Sequence, residues 1–284
     1  PYIDVENNRK NIAILMATYN GERYVREQLQ SLYEQTERHW TLYINDDNSN
    51  DNTIKIIKEF SDKYGNINLQ INRPGKGALH NFMNLLQRAE ADYYMFCDQD
   101  DVWLPGKVEQ TLRAMEEQER KTPGKPILVF TDLKVTDENL HVTSPSFWHS
   151  NRIKPKLLSS LNYLGVHFLA TGCTMMLNNP LKQLAFPYPD TAYLHDAWIT
   201  LKAVTQGGIL CPLADAQILY RQHGSNVAGS EDLRRNYILH RLATITTVVR
   251  NNIRVYKLAS NFNYGSWLKY LYYKVLYYFK ELHS

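Results

Sequence analysis

Three observations predict an α/β fold built on a mixed, mainly parallel sheet flanked by helices. Apolar runs alternate with amphipathic stretches through residues 1–105, in the order β-α-β-α-β-α-β. The apolar runs are continuous, as in strands covered on both faces. Three of them end in polar clusters: Ala17-Thr18-Tyr19-Asn20, Asp46-Asp47, and the acids of residues 98–101. Ligands of open parallel sheets lie beyond the carboxyl ends of the strands, so the three clusters are expected to converge on one rim.

The elements follow in order. "NIAILMATYN" is an apolar strand closed by a polar turn, and "GERYVREQLQSLYEQT" then sets Tyr24, Val25, Leu29, Leu32 and Tyr33 at helical spacing. "WTLYINDDNSNDNT" is the second strand and "NTIKIIKEFSDKYG" the second helix, with Asp51 as its cap and Gly65 placed to stop it. "INLQINRPGKG" is a strand and turn, "ALHNFMNLLQRAEA" a helix, and "DYYMFCDQDD" the fourth strand. The second part is more mixed. "KVEQTLRAMEEQERK" reads as a helix, "PILVFTDLKVTD" as a strand or the start of a hairpin, and "FLATGCTMMLN" as a further strand pairing into the sheet. "TAYLHDAWITLKAVTQGG" carries a helix after His195 and Asp196, "ILYRQHGSNVAG" a strand with a polar loop, and helices follow residue 230.

Composition narrows the class. A net charge of +3 over 284 residues gives no reason to expect a nucleic-acid partner. Cys97, Cys173 and Cys211 lie far apart without CxxC spacing, which argues against a disulfide framework or structural zinc and for a reducing, cytoplasmic compartment. No signal peptide is visible, and Pro1 suggests a processed start. Residues 157–181 lack Asp, Glu, Lys and Arg, yet their Asn, His, Gly and Pro make them too polar to span a bilayer. They read as buried interior.

Two acid clusters carry chemistry. In "CDQDDVWLP", Asp98, Asp100 and Asp101 repel one another, and a helix cap needs only one of them. Hard cations such as Mg²⁺ or Mn²⁺ take oxygen ligands and cancel that repulsion. In "INDDNSNDNT", an Asx-rich loop before a helix explains Asp51 but not the Asp46-Asp47 pair. A carboxylate at a strand end can accept from the imide of uracil or thymine or from a ribose hydroxyl, and Asp47 is the candidate.

"ILMATYNGERYVREQLQSLYEQT", "INDDNSNDNT" and "FCDQDDVWLPGKV" resemble the motifs of family 2 glycosyltransferases with the GT-A (Rossmann-like) fold. The resemblance runs over residues 11–108 and resumes at "TGCTMML", "LHDAWI" and "YRQHGSN", although "ATYN" stands where many relatives have Pro before the Tyr. "DQDDVW" and "YRQHGSN" look most like bacterial rhamnosyltransferases, which use dTDP-rhamnose to build surface polysaccharide such as O-antigen.

The resemblance implies site roles. Ala17, Thr18, Tyr19 and Asn20 would line the nucleotide, with the Tyr19 ring against the pyrimidine and Asp47 on its imide. Arg73, Lys76 and Asn81 would flank it. Asp100, or Asp98 beside it, would reach the ribose, while Asp101, Asp100 and His223 would hold Mg²⁺ or Mn²⁺ under the diphosphate. Asp196 would be the general base. Thr171, Gly172, His195 and Trp198 would meet the acceptor or sugar. Plain alternatives stand beside these roles: Asp196 as a helix cap, His195 and Trp198 as core, and His223 as a satisfied surface or core residue. The chemistry fits the resemblance, because a nucleoside diphosphate leaving group needs a cation and an attacking hydroxyl needs a base. Direct displacement inverts the anomeric centre.

The expected organisation is a catalytic domain over residues 1–230, with a nucleotide half at 11–108 and an acceptor half at 109–230, and a basic, aromatic helical extension at 231–284. The extension either packs on the catalytic domain or in a homodimer, or lies on a membrane surface. The expected acceptor is a glycan or a lipid-linked hydroxyl at the inner face of the cytoplasmic membrane. Alternatives are a UDP-hexose donor, and a non-catalytic sugar-nucleotide-binding or membrane adaptor protein.

Overall fold

The structure is a computed structural model that describes residues 9–168, 170–223 and 237–282. The expected alternation is present: β1 (Ile12–Thr18), α1 (Val25–Tyr33), β2 (Trp40–Asp46), α2 (Thr53–Tyr64), β3 (Ile67–Ile71), α3 (Ala78–Arg88) and β4 (Tyr93–Cys97). There follow β5 (Val102–Trp103), α4 (Lys107–Lys121), β6 (Ile127–Thr131), β7 (Lys134–Thr136), β8 (Val142–Ser144), α5 (Phe147–Ser150) and α6 (Leu161–Leu164). The last elements are β9 (Met175–Asn178), α7 (Asn179–Leu184), α8 (His195–Thr205), β10 (Ile209–Leu213), β11 (Ile218–Arg221), α9 (Tyr237–Ser260) and α10 (Trp267–Leu282).

Seven strands form the main sheet in the order β10-β6-β9-β4-β1-β2-β3. Only β9 runs antiparallel, wedged between β4 and β6. The continuous apolar run of β1 has its predicted cause. Ile12, Ile14 and Met16 face one core with Val25 and Leu29 of α1 and Ile57 of α2, while Ala13 and Leu15 face the other with Phe82 and Leu86 of α3. Leu258 and Ala259 of α9 and Tyr270 and Tyr277 of α10 belong to this second core. Helices thus cover both faces, and the carboxyl ends of β1, β2 and β4 share an edge.

Three details differ from the sequence reading. "PILVFTDLKVTD" divides between two sheets: β6 joins the main sheet, whereas β7 starts an antiparallel hairpin with β8 in a small sheet ordered β5-β11-β7-β8. β10, β5 and β8 were not anticipated, because β5 and β8 are too short to carry a pattern and β10 is interrupted by Pro212, which an edge strand tolerates. Asp196 is not the N-cap of α8; Leu194 is, and Asp196 lies in the first turn. Among the described residues no helix is long and apolar enough to cross a membrane.

Gly65 does end α2, with φ of 74° and its N–H on the Ser61 carbonyl. No atom would crowd an added Cβ there. Gly65→Ala should therefore cost only the left-handed backbone penalty, about 1–2 kcal/mol. Urea denaturation reads it, and an unmoved midpoint rejects the capping role.

Candidate active site at the strand ends

The ends of β1 and β2 are tied together. Asp46 is fully buried; it accepts from Thr18 Oγ1 at 2.8 Å, from Ser49 N at 2.8 Å and from Ser49 Oγ at 2.7 Å. Thr18 therefore serves the frame, and its hydroxyl is committed to Asp46. Asn20, at a left-handed φ of 44°, continues the lacing: its N–H donates to Ser49 Oγ at 2.9 Å and its Oδ1 accepts from Asn50 N at 3.0 Å. The Tyr19 ring is left 57% exposed beside half-buried Ala17. The ring is thus held by a laced backbone, with an open aromatic face.

Asp47 follows on the same rim. Its Oδ1 accepts from Lys76 N at 2.7 Å and its Oδ2 from Gly77 N at 2.9 Å, which fastens the loop after β3. Burial alone would raise its pKa, but hydrogen bonds from Asn81 and from the Lys76 and Gly77 N–H groups outweigh it and hold the carboxyl below its ordinary value. Asn81 is buried and also accepts from the Asn72 side chain. It supports Asp47 from beneath, while the Arg73 and Lys76 side chains are exposed along the loop.

The acids after β4 divide into two groups. Asp100 Oδ2 lies 2.9 Å from His223 Nε2, and the His223 ring packs on Tyr24 with centroids 4.7 Å apart. Asp101 is 0% exposed, and its Oδ1 accepts from Arg221 N at 3.2 Å. Its Oδ2 has no N–H or O–H partner among the described residues. Ligand atoms of Asp98, Asp101 and Cys173 lie within 4.8 Å of one another. Burial, then the charges of Asp100 and Asp196, push Asp98 up to about 7. Burial, then Asp98 and Asp100, push Asp101 well above its ordinary value.

This donor set fits a hard divalent cation. Asp98 and Asp101 meet in one cluster while Asp100 faces His223 beside it, one buried carboxylate oxygen lacks an N–H or O–H donor among the described residues, and burial together with neighbouring carboxylates raises the Asp98 and Asp101 pKa values. The Cys173 thiol is a poor ligand for Mg²⁺ or Mn²⁺ and lines the acids instead.

Asp196 closes the rim opposite. Its Oδ2 accepts from Gly172 N at 3.1 Å and its Oδ1 from Ala197 N at 2.6 Å. It is near enough to raise the Asp98 pKa. Thr171 caps the short 3₁₀ turn Gly172–Thr174 that presents this N–H. Gly172 is required there, because an added Cβ would lie 2.5 Å from His195 Nε2. His195 itself points inward, its ring between Phe82 (4.3 Å) and Phe96 (4.6 Å), and burial lowers its pKa. Trp198 is also a core residue: it is 4% exposed, donates from Nε1 to the Ala185 carbonyl at 2.8 Å and packs on Phe262. The structure thus does not bring Trp198 to the rim, and it sets His195 behind Gly172; helical periodicity turns both inward while Asp196 faces out.

Three contributors escaped the sequence reading. Gln99 Oε1 accepts from Tyr19 N at 2.9 Å and its Nε2 donates to Tyr19 O at 3.0 Å, so one amide pairs the β4 turn to the β1 turn. Arg221 donates from Nε to the Asp100 carbonyl at 2.8 Å, from Nη1 to the Glu138 carbonyl at 2.6 Å, and pairs with Glu27. Buried Lys107 donates to the Thr174 carbonyl at 2.6 Å and so holds the 3₁₀ turn; burial lowers its pKa to about 7. Gln99 lies inside "DQDD" and Arg221 inside "YRQH", so position in a motif was the available signal.

A seven-stranded sheet with one antiparallel strand and an acid-lined rim defines the GT-A class, and solved structures with this architecture agree. The chain is similar to S. aureus TarS 1–349 in complex with UDP, with TM-score 0.58 and 19% identity, over 75% of this chain and 61% of that one. It is also similar to the mannosyltransferase PcManGT from Pyrobaculum calidifontis in complex with GDP-Man and Mn²⁺, with TM-score 0.55 and 12% identity, over 96% of this chain and 87% of that one. Residues 13–185 match the family model described as Glycosyl transferase family 2, and the chain belongs to that family. The dTDP-rhamnosyl transferase RfbG of Shigella flexneri is 29% identical over 228 residues, 76% of this chain and 74% of that protein. The UDP-Glc:alpha-D-GlcNAc-diphosphoundecaprenol beta-1,3-glucosyltransferase WfgD of Escherichia coli is 35% identical over 104 residues, 37% of this chain and 40% of that protein.

The raised Asp98 pKa has a thermodynamic sign. The folded chain keeps the proton up to about 7, whereas the unfolded chain releases it from about pH 4. Without a cation, stability therefore falls as pH rises from about 4 towards 7. Asp98→Asn should shrink the difference between denaturation midpoints at about pH 5 and about pH 7.5. An equal difference in both proteins rejects this assignment.

Proposed function

We propose that the chain is an inverting, metal-dependent glycosyltransferase that moves L-rhamnose from dTDP-rhamnose to a hydroxyl of a glycan or lipid-linked acceptor in surface polysaccharide synthesis. The observation that carries this reading is the meeting of the acids of residues 98–101 with Asp196 at one rim, in a chain of glycosyl transferase family 2. The Tyr19 ring would stack on the pyrimidine. Asp47, its carboxylate kept ionised by three hydrogen bonds, would accept from the imide N–H with its remaining lone pairs. Asp101, with its unpartnered buried oxygen, and Asp100 with His223 would hold Mg²⁺ or Mn²⁺, and Asp98 would support them. The cation would neutralise charge developing on the departing diphosphate.

Asp196 would take the proton from the acceptor hydroxyl as its oxygen attacks the anomeric carbon. The Gly172 and Ala197 N–H groups fix the carboxylate in place, which is the orientation a general base requires. His195, held neutral between two rings, buttresses Gly172 and acts only through position. Attack from the face opposite the leaving group inverts the anomeric centre. The acceptor half of the domain would be residues 109–230, and the working place the inner face of the cytoplasmic membrane. A UDP-hexose donor is the second reading, favoured by the 35% identity to WfgD.

In a transfer assay with Mn²⁺, dTDP-rhamnose should be turned over at least about tenfold faster than UDP-glucose. The opposite order favours the UDP-hexose reading, and undiminished turnover in EDTA overturns the metal assignment. Asp196→Asn should lower kcat by about 10²–10⁴-fold while leaving nucleotide binding unchanged. Parallel loss of binding and turnover would make Asp196 structural.

A further inference from the structure

Helix α10 is apolar on two opposite faces. Its inner face is part of the core: Tyr270 donates to Asn252 Oδ1 of α9 at 3.0 Å, and Tyr277 donates to the Arg152 carbonyl at 3.2 Å. The outer face repeats the apolar pattern towards solvent. Leu268 (76% exposed), Leu271, Tyr272 (62% exposed), Val275 and Tyr278 follow at helical spacing, and no charge interrupts them. A soluble surface rarely keeps such a stripe without a use.

Charge identifies the partner. Helix α9 contains no Asp or Glu over Tyr237–Ser260, and exposed Arg250, Arg254 and Lys257 follow one another at i, i+4 and i+7 on one of its faces. Exposed Ile253 lies among them. The single acid of α10, Glu281, lies near its end. An apolar, Tyr-rich stripe on one helix and a row of exposed cations on the helix it packs against, with no ion pair to those cations among the described residues, match an anionic lipid surface, where tyrosine rings favour the headgroup layer and cations meet lipid phosphates. Helix α10 has 16 residues, about 24 Å at 1.5 Å per residue, short of the ~30 Å hydrocarbon core. It would therefore lie in the plane of the interface.

We propose that α9 and α10 form a docking surface for an anionic phospholipid bilayer, with the outer stripe of α10 immersed among the acyl chains and Arg250, Arg254 and Lys257 on the headgroups. The inference deepens the proposed place of work at the membrane face, and vesicle binding tests it separately from sugar transfer.

Co-sedimentation of the full chain with phosphatidylcholine vesicles, with and without phosphatidylglycerol, tests it. Partitioning should be about tenfold or more stronger to the anionic vesicles and should weaken at high salt. The triple variant Leu268→Ser, Tyr272→Ser, Val275→Ser and the double variant Arg250→Glu, Arg254→Glu should each lose about tenfold or more in binding, with thermal melting unchanged because every altered side chain is exposed. Absence of vesicle binding by the parent chain overturns the proposal, and so does equal binding by folded variants. A dimer in sedimentation equilibrium that the triple variant abolishes, without vesicle binding, would instead assign the face to a second copy of the chain.

Discussion

Three carboxylates in four positions repel one another, and the rim exists only because the fold holds them together against that repulsion. The backbone of β4 delivers Asp98, Asp100 and Asp101 to the end of a fully buried strand, where water screens them poorly. Arg221 then approaches from β11. Its main-chain N–H binds Asp101, its guanidinium binds the Asp100 carbonyl, and His223 two residues on faces the Asp100 side chain. These contacts fix geometry without cancelling the carboxylate charge. Burial first, and the neighbouring carboxylates second, therefore raise the Asp98 and Asp101 pKa values.

The remainder of the rim is arranged around the same constraint. Gln99, between the acids, uses its whole amide on the Tyr19 main chain, so the acid turn and the aromatic platform move as one piece. Asp46 and Ser49 hold the neighbouring turn. Lys107, buried below, holds the Gly172–Thr174 turn, and that turn holds Asp196. Thr18, Asp46, Ser49 and Gln99 thus spend their polar atoms on one another and on the main chain, and so set the shape of the rim.

Much of this was legible in the sequence, and the division is physical. The order of elements through β4 could be read because strands buried on both faces are uniformly apolar and the intervening helices are amphipathic. The convergence of the clusters followed from parallel topology alone. What could not be read was side-chain direction. Thr18 and Tyr19 are neighbours in one motif, yet one is consumed by Asp46 and the other is exposed. His195 and Asp196 are likewise adjacent, and only the helical phase of α8 decides that one packs between phenylalanines and the other faces the acids. Trp198 was misplaced for the same reason. β10 escaped because Pro212 breaks its pattern, and Gln99 because an amide between acids carries no signal of its own until the β1 turn is seen beside it.

The antiparallel placement of β9 has a consequence for the order in which the molecule can be made. Strands β1 to β4 emerge first and can pair with one another, yet the open edge of β4 finds its neighbour only when residues 175–178 arrive. The turn that holds Asp196 immediately precedes that strand, and Arg221 comes later still. A ribosome-bound chain therefore carries its acidic triplet well before the groups that restrain it. During synthesis strands β1 to β4 thus carry an unpaired edge and an acidic turn that await β9 and Arg221, and the rim is completed by the last strand of the small sheet.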